Sequence, residues 1–457
     1  MLMENPATPN TLTGKALLAM GFMTFALFLG AGNMIFPVLS GQLAGTEAWS
    51  AAAGFLTTGV GLPLLGIIAM ARVGGGFNDL SQDLPPRLIA LIGIIIYLLI
   101  GPMYAVPRTA AVSFEIGITP FLDAENSNSD AQQLLFSLVF FAIAWWFALY
   151  PGKLMETVGE IITPALILLL IVLGVSPFLN PAGDPGPPIE DYQTTAFIQG
   201  FLDGYMTMDA LAALMFGIVI ITNLRSHGIT GRRALTRYCI ATGVIAAIGL
   251  SLVYIALFNI GATSRVLAPD ASNGGQILTT FVEFQFSQWG ILILAAIVTL
   301  ACLTTAIGCI TAVAEYFEQL WPRYSYFSLV TAITVACVVM ANINLDQLIE
   351  FYVPILLAIY PVAMILILLA LIREWLPAPK LSTRFTLLLV ALLGIADGLH
   401  VLPYRAMEYY LLPLNSLPGF SLHLSWVLPA IVSLVVTSLI GIVYPERQSQ
   451  TESDTGQ

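Results

Sequence analysis

Charge is what this chain has least of. Asp, Glu, Lys and Arg together make up 9% of its 457 residues, against 58% that are hydrophobic, whereas a soluble domain carries about 25% charged residues to wet its surface. So few charges exclude a water-soluble globule of this length and place the chain in a lipid bilayer as a polytopic protein. Positive charge is the scarcer sign: 16 Lys and Arg stand against 27 Asp and Glu, a net charge of −11, which argues against nucleic acid as a partner. Much of the acidity lies in "LDAENSNSD" and in "PERQSQTESDTGQ", which read as solvated segments. Histidine is rarer still. His227, His400 and His423 are scattered, with no HExxH, metal cluster or nucleophile–base pair around them, so an integral membrane enzyme would lack the convergent groups its chemistry needs. The cysteines (Cys239, Cys302, Cys309 and Cys337) lie in apolar runs without a CxxC and read as buried, unreactive thiols. The opening "MLMENPATPNTLTGK" lacks the basic region of a signal peptide, and no small-residue cleavage site follows the first apolar run, which therefore reads as a retained span.

What the chain has in abundance is apolar runs of about 20 residues, the length that crosses a bilayer. Twelve are legible, near 16–39, 48–71, 88–116, 133–150, 156–178, 196–223, 233–260, 287–314, 326–342, 347–372, 384–402 and 423–444. With the amino terminus in the cytoplasm, inner loops and span ends hold Lys15, Arg72, Arg87, Lys153, Arg225, Arg232, Arg233, Arg237, Arg323, Arg373, Lys380, Arg384 and Arg447, leaving Arg108, Arg265 and Arg405 for the outer half. This asymmetry follows the positive-inside rule and puts both termini in the cytoplasm. The organisation expected is a cytoplasmic segment 1–15, spans 1–5 over 16–178, an outer loop 179–195, spans 6–10 over 196–372, spans 11 and 12 over 373–444, and a disordered cytoplasmic tail 445–457.

Two of these runs contain their own breakers. "ALFLGAGNMIFP" places Gly30, Gly32, Asn33 and Pro37 in the first span, and "DGYMTMDA" interrupts the sixth, with Thr207 174 residues after Asn33. Five spans per block is an odd number, so the second block enters the membrane from the opposite side and the repeat is inverted. Broken helices at corresponding places in two halves point to the midplane site of a secondary transporter. Freed amides at the start of a half-helix suit a carboxylate. Freed carbonyls at the end of the preceding half suit a cation, and glycine lets a ligand approach the backbone. Gly-Ala-Gly equally suits close helix packing.

Intramembrane charge narrows the search. Asp203 and Asp209 fall in the sixth span, Arg108 and Glu115 in the third, and each costs roughly 2.5–3.5 kcal/mol at a helix centre, so each needs a partner. Asp209 has two readings, as a cap for the second half-helix or as a ligand for an ammonium, a cation or a proton. Arg108 and Glu115, seven residues apart, are expected to share a face near the outer mouth as a structural ion pair, with gating as the alternative. Thr304 and Thr305 either return their hydroxyls to carbonyls one turn back or supply oxygen to sodium. His400, Arg405 and Glu408 read as surface residues.

Three stretches, "GFMTFALFLGAGNMIFP", "GPMYAVPRTAAVSFEIGI" and "GFLDGYMTMDALAALMFGIVII", closely resemble the branched-chain amino acid carriers of bacteria, the BrnQ type of the LIVCS family. The resemblance runs over nearly all twelve spans. It implies uptake of leucine, isoleucine and valine coupled to sodium. It also implies membership of the amino acid–polyamine–cation superfamily: all-α, with a leucine-transporter-like five-plus-five inverted repeat and two extra helices. Solved members carry Gly-Leu-Gly-Asn and Phe-Pro in the first helix, similar to Gly30-Ala31-Gly32-Asn33 and Phe36-Pro37 here. The likeness implies Leu29, Gly30, Ala31, Gly32 and Asn33 around the substrate, with sodium on the carbonyls of Ala26 and Leu29. The eighth-helix pattern Ala-Gly-Leu-Thr-Ser is similar to Ala301-Cys302-Leu303-Thr304-Thr305. That implies the Ala301 carbonyl and both hydroxyls as further sodium ligands. In the sixth span Tyr205-Met206-Thr207-Met208-Asp209 stands where solved members have Phe-Phe-Thr-Leu-Ser, so Asp209 replaces a small hydroxyl residue. Tyr104 is implied to reach the substrate carboxylate, with Tyr97 as the competitor. Met206 and Met208 suit an aliphatic pocket or core packing equally.

The expectation is a sodium symporter in the bacterial inner membrane, with no other cofactor and no obligate protein partner. Spans 1, 2, 6 and 7 would rock against 3–5 and 8–10, with sodium favouring the outward-open state. A proton-coupled or broader neutral amino acid transporter is the alternative, and a membrane enzyme, channel or sensor a remoter one.

Overall fold

The computed structural model describes residues 12–122, 129–150, 163–402 and 412–444. Lys153, Arg405, Glu408, Arg447, most of segment 1–15, the start of the fifth run and the tail 445–457 lie outside the described residues. The described residues are helical apart from turns and loops, and they form two compact units.

The larger unit comprises Met1–Phe77 and Ile92–Val353. Its first run is split, as its breakers require, into α1 (Gly14–Phe28) and α2 (Ala31–Ala44). Next come α3 (Ala48–Leu56) and α4 (Leu62–Val73), joined by a π-turn over Thr57–Gly61. The third run is broken as well: α5 (Pro86–Leu98) and α6 (Ala105–Gly117) meet at a π-turn in which Gly101, ahead of Pro102, has φ −81° and ψ −117°. Then follow α7 (Ser129–Ala148) and α8 (Thr163–Leu179). The sixth run gives α9 (Tyr192–Asp203) and α10 (Asp209–Ser226), separated by a 3-10 turn over Gly204–Thr207 and a left-handed Met208 with φ 63°. The chain continues through α11 (Arg232–Thr263), α12 (Gly274–Leu320), α13 (Tyr326–Met340) and α14 (Leu345–Ile372).

Helix α12 has 47 residues, which at about 1.5 Å per residue is far longer than a bilayer of about 30 Å requires. It bends at Ser287, where φ is 56° and ψ −160°. The apolar run read from 287 starts at this bend, whereas the amphipathic helical segment before it was not legible as an element. Among the described residues, eight helical stretches are long and apolar enough to cross a membrane, and four shorter apolar helices accompany them.

Small residues bring the helices of the larger unit together. A Cβ on Gly41 would strike the Phe258 carbonyl oxygen, and one on Gly261 the Val38 carbonyl oxygen, so α2 and α11 pack backbone to backbone. Helix α3 packs along α9, and α6 along α12.

The smaller unit comprises Asn78–Leu91 and Pro354–Gln457, with α15 (Pro379–Val401) packed on α16 (Val427–Val443). Arg373 grips Asp83 through Nε and Nη2 at 2.7 and 2.9 Å, and Arg384 Nε donates to the Asp83 carbonyl at 2.9 Å. Asp397 accepts the Ser425 amide at 3.3 Å, and the ring of His400 packs against Phe420 and His423.

Candidate functional site

The first break is abrupt. Leu29 closes α1 with ψ 84°, and Gly30 is extended at φ −109°, ψ −167°. The Gly30 amide turns to the Phe28 carbonyl at 2.8 Å and to Asn33 Oδ1 at 3.1 Å. It is thereby lost to the Ala26 carbonyl, its acceptor in a regular helix. Thr305 reaches across from α12 and donates to the Leu29 carbonyl at 3.3 Å, while Thr304 donates to the Ala301 carbonyl at 2.8 Å. The oxygens of Ala26, Leu29, Ala301, Thr304 and Thr305 are all neutral and hard, the donor chemistry that sodium takes. Thr304 turns back on its own helix, and Thr305 bridges to the break.

The second break caps itself. The Thr207 hydroxyl donates to the Gly204 carbonyl at 2.9 Å and accepts the Asp209 amide at 3.3 Å. The Asp209 carboxylate is thus released from capping α10. Buried at 2% exposure, Asp209 accepts Asn33 Nδ2 at 2.6 Å and the Tyr254 hydroxyl at 2.9 Å through Oδ2. Asn33 Nδ2 also donates to the Tyr254 hydroxyl. One side chain, Asn33, therefore ties the first break to the second. Asp203 has partners of its own: Ser40 donates to it at 2.6 Å, and the Tyr192 hydroxyl bonds the same oxygen.

Arg108 departs from the sequence expectation. It does not pair with Glu115, which accepts Gln276 Nε2 at 3.0 Å. The kink between α5 and α6 directs Arg108 inward instead. Its Nη1 donates to the Tyr104 hydroxyl at 3.1 Å and to the Met206 carbonyl of the second break at 2.7 Å. Its guanidinium lies over the rings of Tyr104 and Phe36 at 4.6 and 5.3 Å, within cation–π range.

The structure thus brings together Leu29, Gly30, Asn33, Thr305, Thr207 and Asp209 directly, and Tyr104 and Met206 through Arg108. Ala31 and Gly32 form the first turn of α2, and Met208 is the left-handed hinge residue. Tyr205 is buried and packs its ring on Phe201 at 5.6 Å. Of the two competing tyrosines, Tyr97 stacks on Tyr316 at 3.9 Å, and Tyr104 is the one beside Arg108. Tyr254 was missed, since a tyrosine alone in the apolar seventh run carries no spacing signal. A cavity of about 290 Å³ runs from Ala26 and Thr304 past Leu27 and Phe216 to Ser226 and Glu315.

The branched-chain amino acid transport protein family matches residues 13–443. The chain belongs to this family. It is 48% identical to the branched-chain amino acid transport system 2 carrier protein of Pseudomonas aeruginosa over 93% of this chain and 96% of that one. It is 42% identical to the branched-chain amino acid permease BrnQ of Escherichia coli, over 93% and 95%, and 39% identical to BraB of Bacillus subtilis, over 96% and 98%. The family and these relatives are transporters, not enzymes. Two solved structures share the fold at low identity. Mhp1, a nucleobase-cation-symport-1 family transporter in a closed conformation with bromovinylhydantoin bound, gives a TM-score of 0.58 at 14% identity, covering 94% of this chain and 92% of that one. MhsT in complex with L-phenylalanine gives 0.58 at 16%, covering 92% and 98%. The fold is of the leucine-transporter type.

Proposed function

We propose that the protein is a sodium-coupled symporter that imports leucine, isoleucine and valine across the bacterial cytoplasmic membrane by alternating access. The observation that carries this reading is the meeting of two broken helices through Asn33 and Asp209. That junction offers free backbone dipoles and a carboxylate inside the membrane, where unsatisfied polar groups persist only for a purpose. The names of the relatives support the substrate class, and the oxygens around Leu29 and Thr305 support sodium. Substrate and ion would be neighbours at Leu29 and Gly30, so each orders the segment that the other needs, giving positive coupling. The cavity reaching Ala26 and Thr304 from Ser226 and Glu315 supports an inner vestibule. Arg225 and Arg232, which donate to the carbonyls of Gly74 and Arg72, support a cytoplasmic position for that end under the positive-inside rule. Twelve spans with both termini inside complete the reading, which needs no cofactor beyond the ion and no protein partner.

A second reading, proton coupling, is favoured by one observation: the Asp209 carboxylate is buried between Asn33 and Tyr254, a place where a proton could ride. The test is leucine uptake into proteoliposomes under separate sodium, lithium and proton gradients. Sodium-driven uptake is expected; uptake driven by the proton gradient alone would sink the sodium assignment, and no uptake or counterflow of any branched-chain amino acid would sink the substrate class.

A further inference from the structure

Among the described residues Arg108 is the one Lys or Arg that is buried, at 3% exposure. No carboxylate among the described residues is hydrogen-bonded to it. The partners of Nη1, a tyrosine hydroxyl and a backbone carbonyl, are both neutral. A buried charge held only by neutral groups is costly, and the Nε side of the guanidinium, part of the edge that grips carboxylates, is idle. Arg373 holds Asp83 through Nε and Nη2, the fork geometry in which arginine binds both oxygens of a carboxylate. In Arg108 the same Nε is buried without a hydrogen-bond partner. Its Nη2 lies against Gly32, where an added Cβ would stand 2.6 Å away.

Gly32 belongs to the first turn of α2, whose leading amides have no acceptor within the helix and carry partial positive charge. A fixed cation and a helix N-terminus therefore converge on one point, and both call for an anion. The residue next to Gly32 is Asn33, whose side chain holds Asp209. Two adjacent residues thus stand one against a buried cation and the other against a buried carboxylate, and each of those groups is hydrogen-bonded to neutral partners.

We propose that Arg108 anchors the carboxylate of the transported amino acid through its Nε–Nη2 edge, at the start of α2. The proposal rests on the reading of the protein as an amino acid carrier. Recognition of the zwitterion is then divided: Arg108 takes the carboxylate, and the Asp209 side takes the ammonium. A neutral amide at the carboxylate position leaves the guanidinium unpaired and is rejected.

The test compares leucine with leucinamide as competitors of labelled-leucine counterflow in proteoliposomes. In the wild-type protein leucinamide is expected to compete at least 100-fold more weakly; equal competition overturns the proposal. In Arg108→Gln the ratio is expected to collapse to within about threefold, because the discriminating charge is gone. A merely structural arginine would weaken both competitors together and keep the ratio, and a retained ratio overturns the proposal. Where Arg108→Gln does not fold, Arg108→Lys carries the test: it keeps the charge and loses the fork, the ratio is expected to fall at least fivefold, and an unchanged ratio overturns the anchor. Failure of the wild type to exchange any branched-chain amino acid defeats the functional reading itself, whereas leucine exchange with an unaltered ratio in the variants defeats only the anchor.

Discussion

The two breaks occupy corresponding places in their halves, yet they offer different chemistry. The first, at Leu29 and Gly30, is two residues long and works through its backbone: carbonyls on one side, amides on the other, with glycine allowing approach. The second, over Gly204 to Met208, unwinds gradually and satisfies its own helix end through Thr207. Having done so, it leaves Asp209 free to serve as a buried charge. Two runs that open at corresponding places therefore need not present the same chemistry where they open. One half supplies dipoles and the other formal charge, the two things that the proposed amino acid and cation would need.

That contrast can be broken experimentally. Asp209→Ala should have the largest effect, because it strands two buried donors, Asn33 and Tyr254, at about 1–3 kcal/mol each. Initial leucine uptake, normalised to protein in the membrane, is expected to fall about 100-fold, and an active variant would mean that the second break carries no essential charge. Gly32→Ala comes next. Its Cβ would press on Arg108 Nη2 at 2.6 Å and on the Met206 carbonyl at 3.1 Å, and overpacking of this kind costs about 1–3 kcal/mol. The leucine concentration for half-maximal uptake should rise about tenfold, while the sodium requirement moves less. Thr305→Ala should do the reverse, raising the sodium concentration for half-maximal uptake about fivefold for one lost oxygen ligand of ~1 kcal/mol. Unchanged sodium dependence would remove Thr305 from the ion site. The smallest effect is expected in the other unit. Asp83→Asn weakens the grip of Arg373, so the purified protein should melt about 1–2 °C lower, with the leucine and sodium dependence of uptake unaltered.

How much of this was legible depends on the range of the interaction involved. The breaks at Gly30 and Met208 are local: glycine, proline and polar residues inside an apolar run announce an interrupted helix without knowledge of any neighbour. The bend at Ser287 was half visible, since the apolar run starts there, but the amphipathic stretch from Gly274 has too few apolar residues in sequence to stand out. The pairing of Arg108 with Glu115 was inferred from a seven-residue spacing on one helix face, and that spacing is real. What overrode it was a partner on each side from elsewhere in the chain, Gln276 for Glu115 and the Met206 carbonyl for Arg108. Gly101-Pro102 is the visible trace of the kink that turns Arg108 inward. Tyr254 reaches Asp209 across 45 residues of sequence, and nothing in its own run marks it. The capping alternative for Asp209 failed because Thr207, two residues earlier, does that work, a substitution of roles that spacing alone does not rank.

Asn33 has a consequence of its own. Its carboxamide is polar in two senses: the oxygen takes the Gly30 amide, while the nitrogen gives its hydrogens to Asp209 and Tyr254. A carboxamide cannot rotate by half a turn and keep those bonds, because donor and acceptor would change places. The residue therefore acts as a key with one orientation, registering the first break and the second at once. Motion that draws α2 away from α10 must break the bond from Asn33 to Asp209, while the bond to Gly30 stays within the first break and the bond to Tyr254 depends on α11, so this one side chain answers separately to three elements.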